Sequence, residues 1–234
     1  WYQKMKDFEF NGWCIGGAQK RVTMFMSALV PMIKNREFEK ARNQFIHVLG
    51  ISKISDFFML SFFQKMVNKY HGGRIQISTD SSSPGLYPVY GTYLHSPQLS
   101  KMTFTDLYFP KGENLPYNAD DLVPNPLGHP VSEGFTFGDV SNYKGDVTMK
   151  MTLNNLFVFN DTVKQVEEIV KCHNELLQTI VPRDFYSILM SMEEMFKDPD
   201  KAIHIYNKNR QLYDRFGGST RDLVNNEVFN KFFE

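Results

Sequence analysis

The chain has 234 residues, room for one large domain or two small ones. Its 26 basic and 26 acidic residues cancel, which excludes a global polyanion-binding character and leaves any nucleic-acid contact to a local patch. Two cysteines, Cys14 and Cys172, exclude a disulfide framework and a Cys-x-x-Cys pair and suit a reducing, cytoplasmic setting, while 21 Phe residues allow a sizeable core. No apolar run of membrane-spanning length and no secretory leader is read, so no membrane partner is expected. The first residue is Trp1 and not Met, which reads as the processed or partial form of a longer polypeptide.

Residues 1–80 read as a repeated strand–helix unit. The first strand, FNGWCIGG at residues 10–17, ends in the glycine pair Gly16 and Gly17. An apolar stripe of Met24, Met26, Leu29 and Ile33 predicts a helix over residues 22–34, kinked or ended by Pro31. The second strand, residues 45–50, ends in Gly50. A helix follows from a cap near Ser55 and Asp56, carries Phe58, Phe62, Met66, Val67 and Tyr70, and stops at Gly72 and Gly73. The third strand delivers Asp80. Gly17, Gly50 and Asp80 recur at a βα repeat length, and a βαβαβ order predicts parallel strands whose carboxyl ends share one rim. Three such strands cannot close a barrel, so the missing ones are expected from an upstream segment or, failing that, a partner chain.

Residues 81–147 hold eight of the eleven prolines and read as a loop- and β-rich insertion, with short strands at 89–94, 103–109 and 135–137. From residue 148 the pattern turns helical. A strong helix is expected from a cap at Asn160 and Asp161 to Pro182, with Val163, Val166, Ile169, Val170, Leu176, Leu177 and Ile180 on its apolar face. A second helix is read over 183–196, and a third opens at Asp198 and Pro199 and ends at Gly217 and Gly218. A capping box at Ser219 to Asp222 starts a last short helix.

The chemistry is expected where the third strand stops at an acid. In α/β proteins the carboxyl end of a strand fixes the backbone while the loop frees the side chain, and Asp80 stands there before Ser81, Ser82, Ser83, Pro84 and Gly85. A plain turn- or helix-capping role for Asp80 competes with this. Glycines on the same rim let a planar ligand or phosphate approach the backbone.

FNGWCIGG at 10–17, IHVLG at 46–50, TDSS at 79–82 and MTLNNLF at 151–157 together resemble, in order and spacing, the carboxyl-terminal half of the tRNA-guanine transglycosylase family. The resemblance covers roughly residues 3–80 and 148–182. It implies an α/β fold, the carboxyl-terminal part of a (β/α)8 TIM-type barrel, and a pentosyltransferase that exchanges guanine for a 7-deazaguanine base. It implies Asp80 as nucleophile and Gly16, Gly17, Ala18, His47 and Gly50 as base-binding positions. A second acid is expected in the upstream half, which in the family carries a "D-S-G-G" strand. Two departures stand out. Where bacterial members carry a glutamate soon after the glycine pair, this chain reads Ala18, Gln19, Lys20, Arg21 and Val22. The family's zinc site needs clustered cysteines, residues 81–150 contain none, and Asn154 or Asn155 stands where a ligand would be, so no metal or other cofactor is expected. In this the chain resembles the zinc-less viral enzymes that place 7-deazaguanines into DNA, and its Lys-, Asn- and Phe-rich composition suits an AT-rich phage genome. Phage DNA is therefore expected as acceptor ahead of tRNA, in the host cytoplasm if the source is viral.

Base exchange at a nucleoside is a retaining glycosyl transfer, in which a carboxylate attacks C1′ and the incoming base displaces it. Lys20 and Arg21 are candidate phosphate contacts, or a solvated helix start. Tyr87, Tyr90 and Tyr93 can stack an extruded base or pack the insertion. Taken by itself, His47 inside a strand reads first as a satisfied core or rim histidine and only second as a base contact, and His71 and Arg74 read as caps at the far end of the strands. Two other functions compete: a non-catalytic paralogue kept as a nucleic-acid-binding or scaffold subunit, and an unrelated barrel that binds phosphate at Gly17 or Gly50.

Overall fold

The computed structural model describes residues 2–16, 22–109, 117–141 and 145–216, a mixed α/β arrangement. After a short helix α1 (Tyr2–Met5), the chain alternates strand and helix: β1 (Gly12–Ile15), α2 (Val22–Lys34), β2 (Phe45–Val48), α3 (Ile54–His71) and β3 (Gln76–Thr79). The strands form a parallel sheet in the order β1-β2-β3, with Trp13 level with Ile46 and Ile46 level with Ile77. Parallel neighbours need a crossover connection, and α2 and α3 supply the two crossovers. Helix α3 stops where expected, because Gly72 takes φ 75° and returns its N–H to the carbonyl of Asn68. Pro31 does not end α2. The helix runs one turn further to Lys34, with Val30, Met32 and Ile33 buried and Asn35 donating both backbone and side-chain N–H to the Pro31 carbonyl.

Trp13, Ile15, Ile46 and Val48 point to one side of the sheet and share a core with the buried residues of α2 and α3. Helices α6 (Gly145–Lys171), α7 (Asn174–Ile180), α8 (Arg183–Lys197) and α9 (Ala202–Phe216) add a second layer to that core. The expected cap at Asn160 and Asp161 is instead the middle of α6: Asp161 accepts from Gln165 one turn on, and Thr162 Oγ1 back-bonds to the Val158 carbonyl. The helix then breaks at Cys172 and His173, well before Pro182. Lys65 of α3 donates to the carbonyls of Val170 (2.7 Å) and Cys172 (2.9 Å), satisfying groups that a continuing helix would have bonded. Helix α8 lies where read. Asp198 caps the next turn, its carboxylate accepting from Lys201 N–H, with Pro199 at the first position. The last predicted helix, at Ser219 to Asp222, lies outside the described residues.

The insertion is less β-rich than expected. Its described residues form a helix α4 (Ser83–Val89), an antiparallel hairpin of β4 (Thr92–Gln98) and β5 (Thr103–Tyr108), and a short helix α5 (Phe137–Ser141). Residues 89–94 thus split between the end of α4 and the start of β4. Residues 135–137 make one bridge, Thr136 to Leu122, and then turn helical. Tyr93, Phe109, Phe137, Val140, Val147 and Met151 form a small second core that joins the insertion to the start of α6. Asn154 and Asn155, read as standing at a ligand position near a helix entry, lie buried inside α6 and serve β4. Asn155 Oδ1 accepts from Leu94 N–H (2.8 Å), its Nδ2 donates to the Thr92 carbonyl (3.0 Å), and Asn154 Nδ2 donates to the Leu94 carbonyl (2.7 Å).

The outer edge of β3 is treated in the same way. Gln64 of α3 accepts from Ile77 N–H (2.7 Å) and donates to the Ile75 carbonyl (2.9 Å), taking two of the places a fourth strand would occupy. Beside it a groove of about 420 Å³ runs between α3 and α6, lined in part by Phe57, Leu60, Val163 and Val170. Under the amino ends of the strands, the fully buried Glu37 accepts from Tyr2 Oη (2.8 Å), Trp13 Nε1 (3.2 Å), Asn43 Nδ2 (2.9 Å) and Lys40 Nζ. Burial works against this charge, but those donors outweigh it and hold the carboxyl below the usual range.

Candidate functional site

The carboxyl ends of the three strands do meet at one rim. Asp80 follows β3 and is exposed; its Oδ1 accepts from Gly50 N–H at 2.8 Å, and its own carbonyl accepts from Ile51 N–H at 3.0 Å. Gly50 sits at φ 75°, a conformation that glycine enters without steric cost, and this turns the chain after β2 towards Asp80. Thr79 Oγ1 donates to the Val48 carbonyl (2.7 Å), a second tie between the ends of β2 and β3. Leu49 N–H reaches the Ile15 carbonyl (2.9 Å), which brings Gly16 to the same level, and a Cβ on Gly16 would meet the Leu49 side chain at 2.7 Å. Gly17, Ala18, Lys20 and Arg21 lie outside the described residues.

The rim opens onto the bare side of the sheet. Cys14, Phe45, Gln76 and Ser78 are exposed there and His47 is half-buried, in contrast to the covered side. Cys14, His47 and Ser78 stand at one level across the strands, and His47 Nδ1 lies 2.9 Å from Ser78 Oγ. His47 is therefore a face residue with a polar partner and not a core histidine. Ser78 carries no motif, and its position became informative only once the register was known.

The sequence predicts a cap near Ser55 and Asp56. The cap is instead Lys53, with no side-chain cap bond, and Asp56 lies buried in the first turn of α3, where the Lys53 charge and the backbone donors of Lys53 and Ser52 favour its charged form. Burial pushes it up to about 6, against the pull of the Lys53 charge and those donors. Of the three tyrosines, Tyr93 is buried and Tyr87 packs against Phe159, whereas Tyr90 is exposed. His71 packs beside the stacked rings of Phe38 and Phe196, and burial lowers its pKa. Arg74 donates to the carbonyls of Phe38, Glu39 and Lys40 at the opposite end of the strands from Asp80, as a cap.

Among the described residues no His, Cys, Asp or Glu cluster could hold a metal ion, and no helix is long and apolar enough to cross a membrane. Chemically, the rim offers a carboxylate with one oxygen fixed by a backbone N–H and the other, Oδ2, without a donor among the described residues. Such a group can act as a nucleophile, a base or a cation ligand. No family model, curated protein or solved structure matches the chain, so the geometry stands on its own.

Proposed function

We propose that the chain is the nucleophile-bearing part of a guanine transglycosylase-like enzyme acting on nucleic acid, phage DNA ahead of tRNA. The observation that carries this reading is the placement of Asp80: exposed at the carboxyl end of β3, on a rim shared with Gly16 and Gly50, with one oxygen held by Gly50 N–H. The parallel β1-β2-β3 order also agrees with the order of motifs that resemble the family. On this reading the bare face of the sheet is the interior of a TIM-type barrel, since parallel sheets in α/β proteins are covered on both faces. An upstream segment or partner chain supplies the remaining strands, and closure on the β3 side requires Gln64 to release Ile75 and Ile77.

In the reaction, Asp80 Oδ2 forms a bond to C1′ of the target nucleotide as the C1′–N9 bond breaks. Guanine leaves with the electron pair and takes a proton from an acid assigned to the upstream segment. N9 of the 7-deazaguanine then attacks C1′, gives up its proton, and displaces the Asp80 carboxylate. Gly50 N–H keeps Asp80 aimed through both steps, and the stereochemistry at C1′ is retained.

Labelled guanine exchange into duplex DNA and into tRNA tests this, with Asp80→Asn alongside and with any completing segment present. Wild-type exchange on one polymer, lost by about a thousandfold or more in the mutant, is the expected result and names the acceptor. Exchange that survives the substitution removes Asp80 as nucleophile. Nucleic-acid binding without exchange favours the scaffold role.

A further inference from the structure

We propose that residues 219–234 of this chain dock as an amphipathic helix in the groove between α3 and α6, with Val228, Phe229, Phe232 and Phe233 as anchors. This tail follows α9 and lies outside the described residues. Its docking does not depend on the transglycosylase reading.

The groove combines an apolar lining with a charged border. Phe57 and Leu60 of α3, Ile77 of β3, and Val163 and Val170 of α6 supply the apolar part, and Glu167 and Lys171 of α6 the charged part. The two helices run in the same direction along it. Phe57 faces Phe159 at 5.5 Å near one end, and Lys65 Nζ meets the Val170 carbonyl at 2.7 Å near the other. On its solvent side α6 exposes Lys164, Glu167 and Lys171, a plus–minus–plus row at helical spacing. Lys171 also pairs with Glu168 at 2.7 Å, but both side chains are largely exposed and such a pair is readily exchanged. A volume of about 420 Å³ suits the side chains of one helix face and not a folded domain.

The tail carries the complementary pattern. Val224, Val228 and Phe232 recur every four residues with Phe229 and Phe233 beside them, one apolar stripe of a helix that opens at the Ser219 cap. Along one flank of that stripe Glu227, Lys231 and Glu234 read minus–plus–minus, opposite in sign to the row on α6. The aromatic anchors supply the binding, and the ion pairs, weak at a surface, penalise a wrong register. Helix α9 also ends near the groove. The Phe216 ring lies 5.3 Å from Phe185, which lies 6.3 Å from Phe58, the neighbour of Phe57 on α3. Gly217 and Gly218 allow the chain to reverse there, and a helix rising about 1.5 Å per residue from Ser219 carries Val228 roughly 14 Å onward. A seated tail covers Ile77 and Thr79, which also line the groove, and so braces the strand that ends at Asp80.

The test uses the full chain with a nitroxide on the native, exposed Cys172 just beyond α6, in a Cys14→Ser background so that one thiol is labelled. The expected result is that the amide NMR signals of residues 228–234 are lost beside the label, return when the nitroxide is reduced, and behave alike across a concentration series. Phe229→Ser with Phe233→Ser should bring those signals back while the rest of the spectrum stays unchanged. Lys231→Glu should lower the ratio of docked to free tail by about twofold to fivefold, and Glu167→Lys added to it should recover the original ratio. Tail signals that stay sharp beside the label overturn the proposal. So does a signal loss that survives the serine pair, or a charge reversal that the second substitution does not recover. Loss that grows with concentration also overturns it, and assigns the tail to the groove of a second copy of the chain.

Discussion

Asp56 puts a buried carboxyl one turn beyond the Gly50–Asp80 contact, and the cost of keeping it there depends on pH. Its folded value of about 6 lies above the ordinary value of 3.8, so the native state binds this proton more tightly than the unfolded chain does. The sign follows directly: the contribution is fully present below about pH 4 and is lost as pH rises through 6. Asp56→Asn, which keeps the size of the side chain without its charge, should stabilise the protein by about 3 kcal/mol at pH 7.5 and hardly at all at pH 4. Urea denaturation at the two pH values checks this. A gain of equal size at both would mean that charge burial is not the cause. Glu37 shows the opposite solution to the same problem: four donors converge on it, and its carboxyl is held low. The sequence marks neither difference. Asp56 looks like any helix-start acid, and the donors to Glu37 come from as far away as Tyr2.

At the scale of elements, the parts set by local chemistry were legible and those set by distant partners were not. Gly72 ends α3 because only the residue itself is needed to adopt positive φ. The break after Lys171 depends on Lys65, more than a hundred residues earlier, and no pattern within 160–182 announces it. Asn154 and Asn155 illustrate a different failure. As a polar pair in a motif they resemble ligand positions, but their partners are backbone groups of β4, which only the folded chain brings near. Asn155→Ala leaves the buried Leu94 N–H and Thr92 carbonyl without those bonds, and should cost about 2 kcal/mol. Hydrogen exchange at the Leu94 amide should accelerate more than at β5 amides. Uniform acceleration across the hairpin would assign the asparagine to general packing and not to the β4 edge.

For the whole molecule, the glycine–glycine–aspartate spacing was enough to foresee a parallel sheet with a common rim, because βα repeats have a narrow range of lengths. It could not convey that one side of that sheet is bare, since Phe45 and Ile46 look alike in a list of apolar residues and differ only in the side they face. The side-chain amides at the two sheet edges share a logic with consequences at this scale. Gln64→Ala frees Ile75 C=O and Ile77 N–H on a strand edge open to other chains, and it should make the protein self-associate with concentration where wild type does not. Light scattering over a concentration series measures this; identical profiles would show that the groove beside α6 already shields the edge.

A capped edge of this kind also discriminates. A strand arriving beside β3 must present a donor and an acceptor at the spacing of Ile75 and Ile77 before it can take the place of Gln64, and it gains nothing from the first contact alone. Gln64 would thus act as a proofreader of assembly: a strand in the wrong register is turned away by a side chain that returns to its place, and the rim around Asp80 is completed only by a segment that fits.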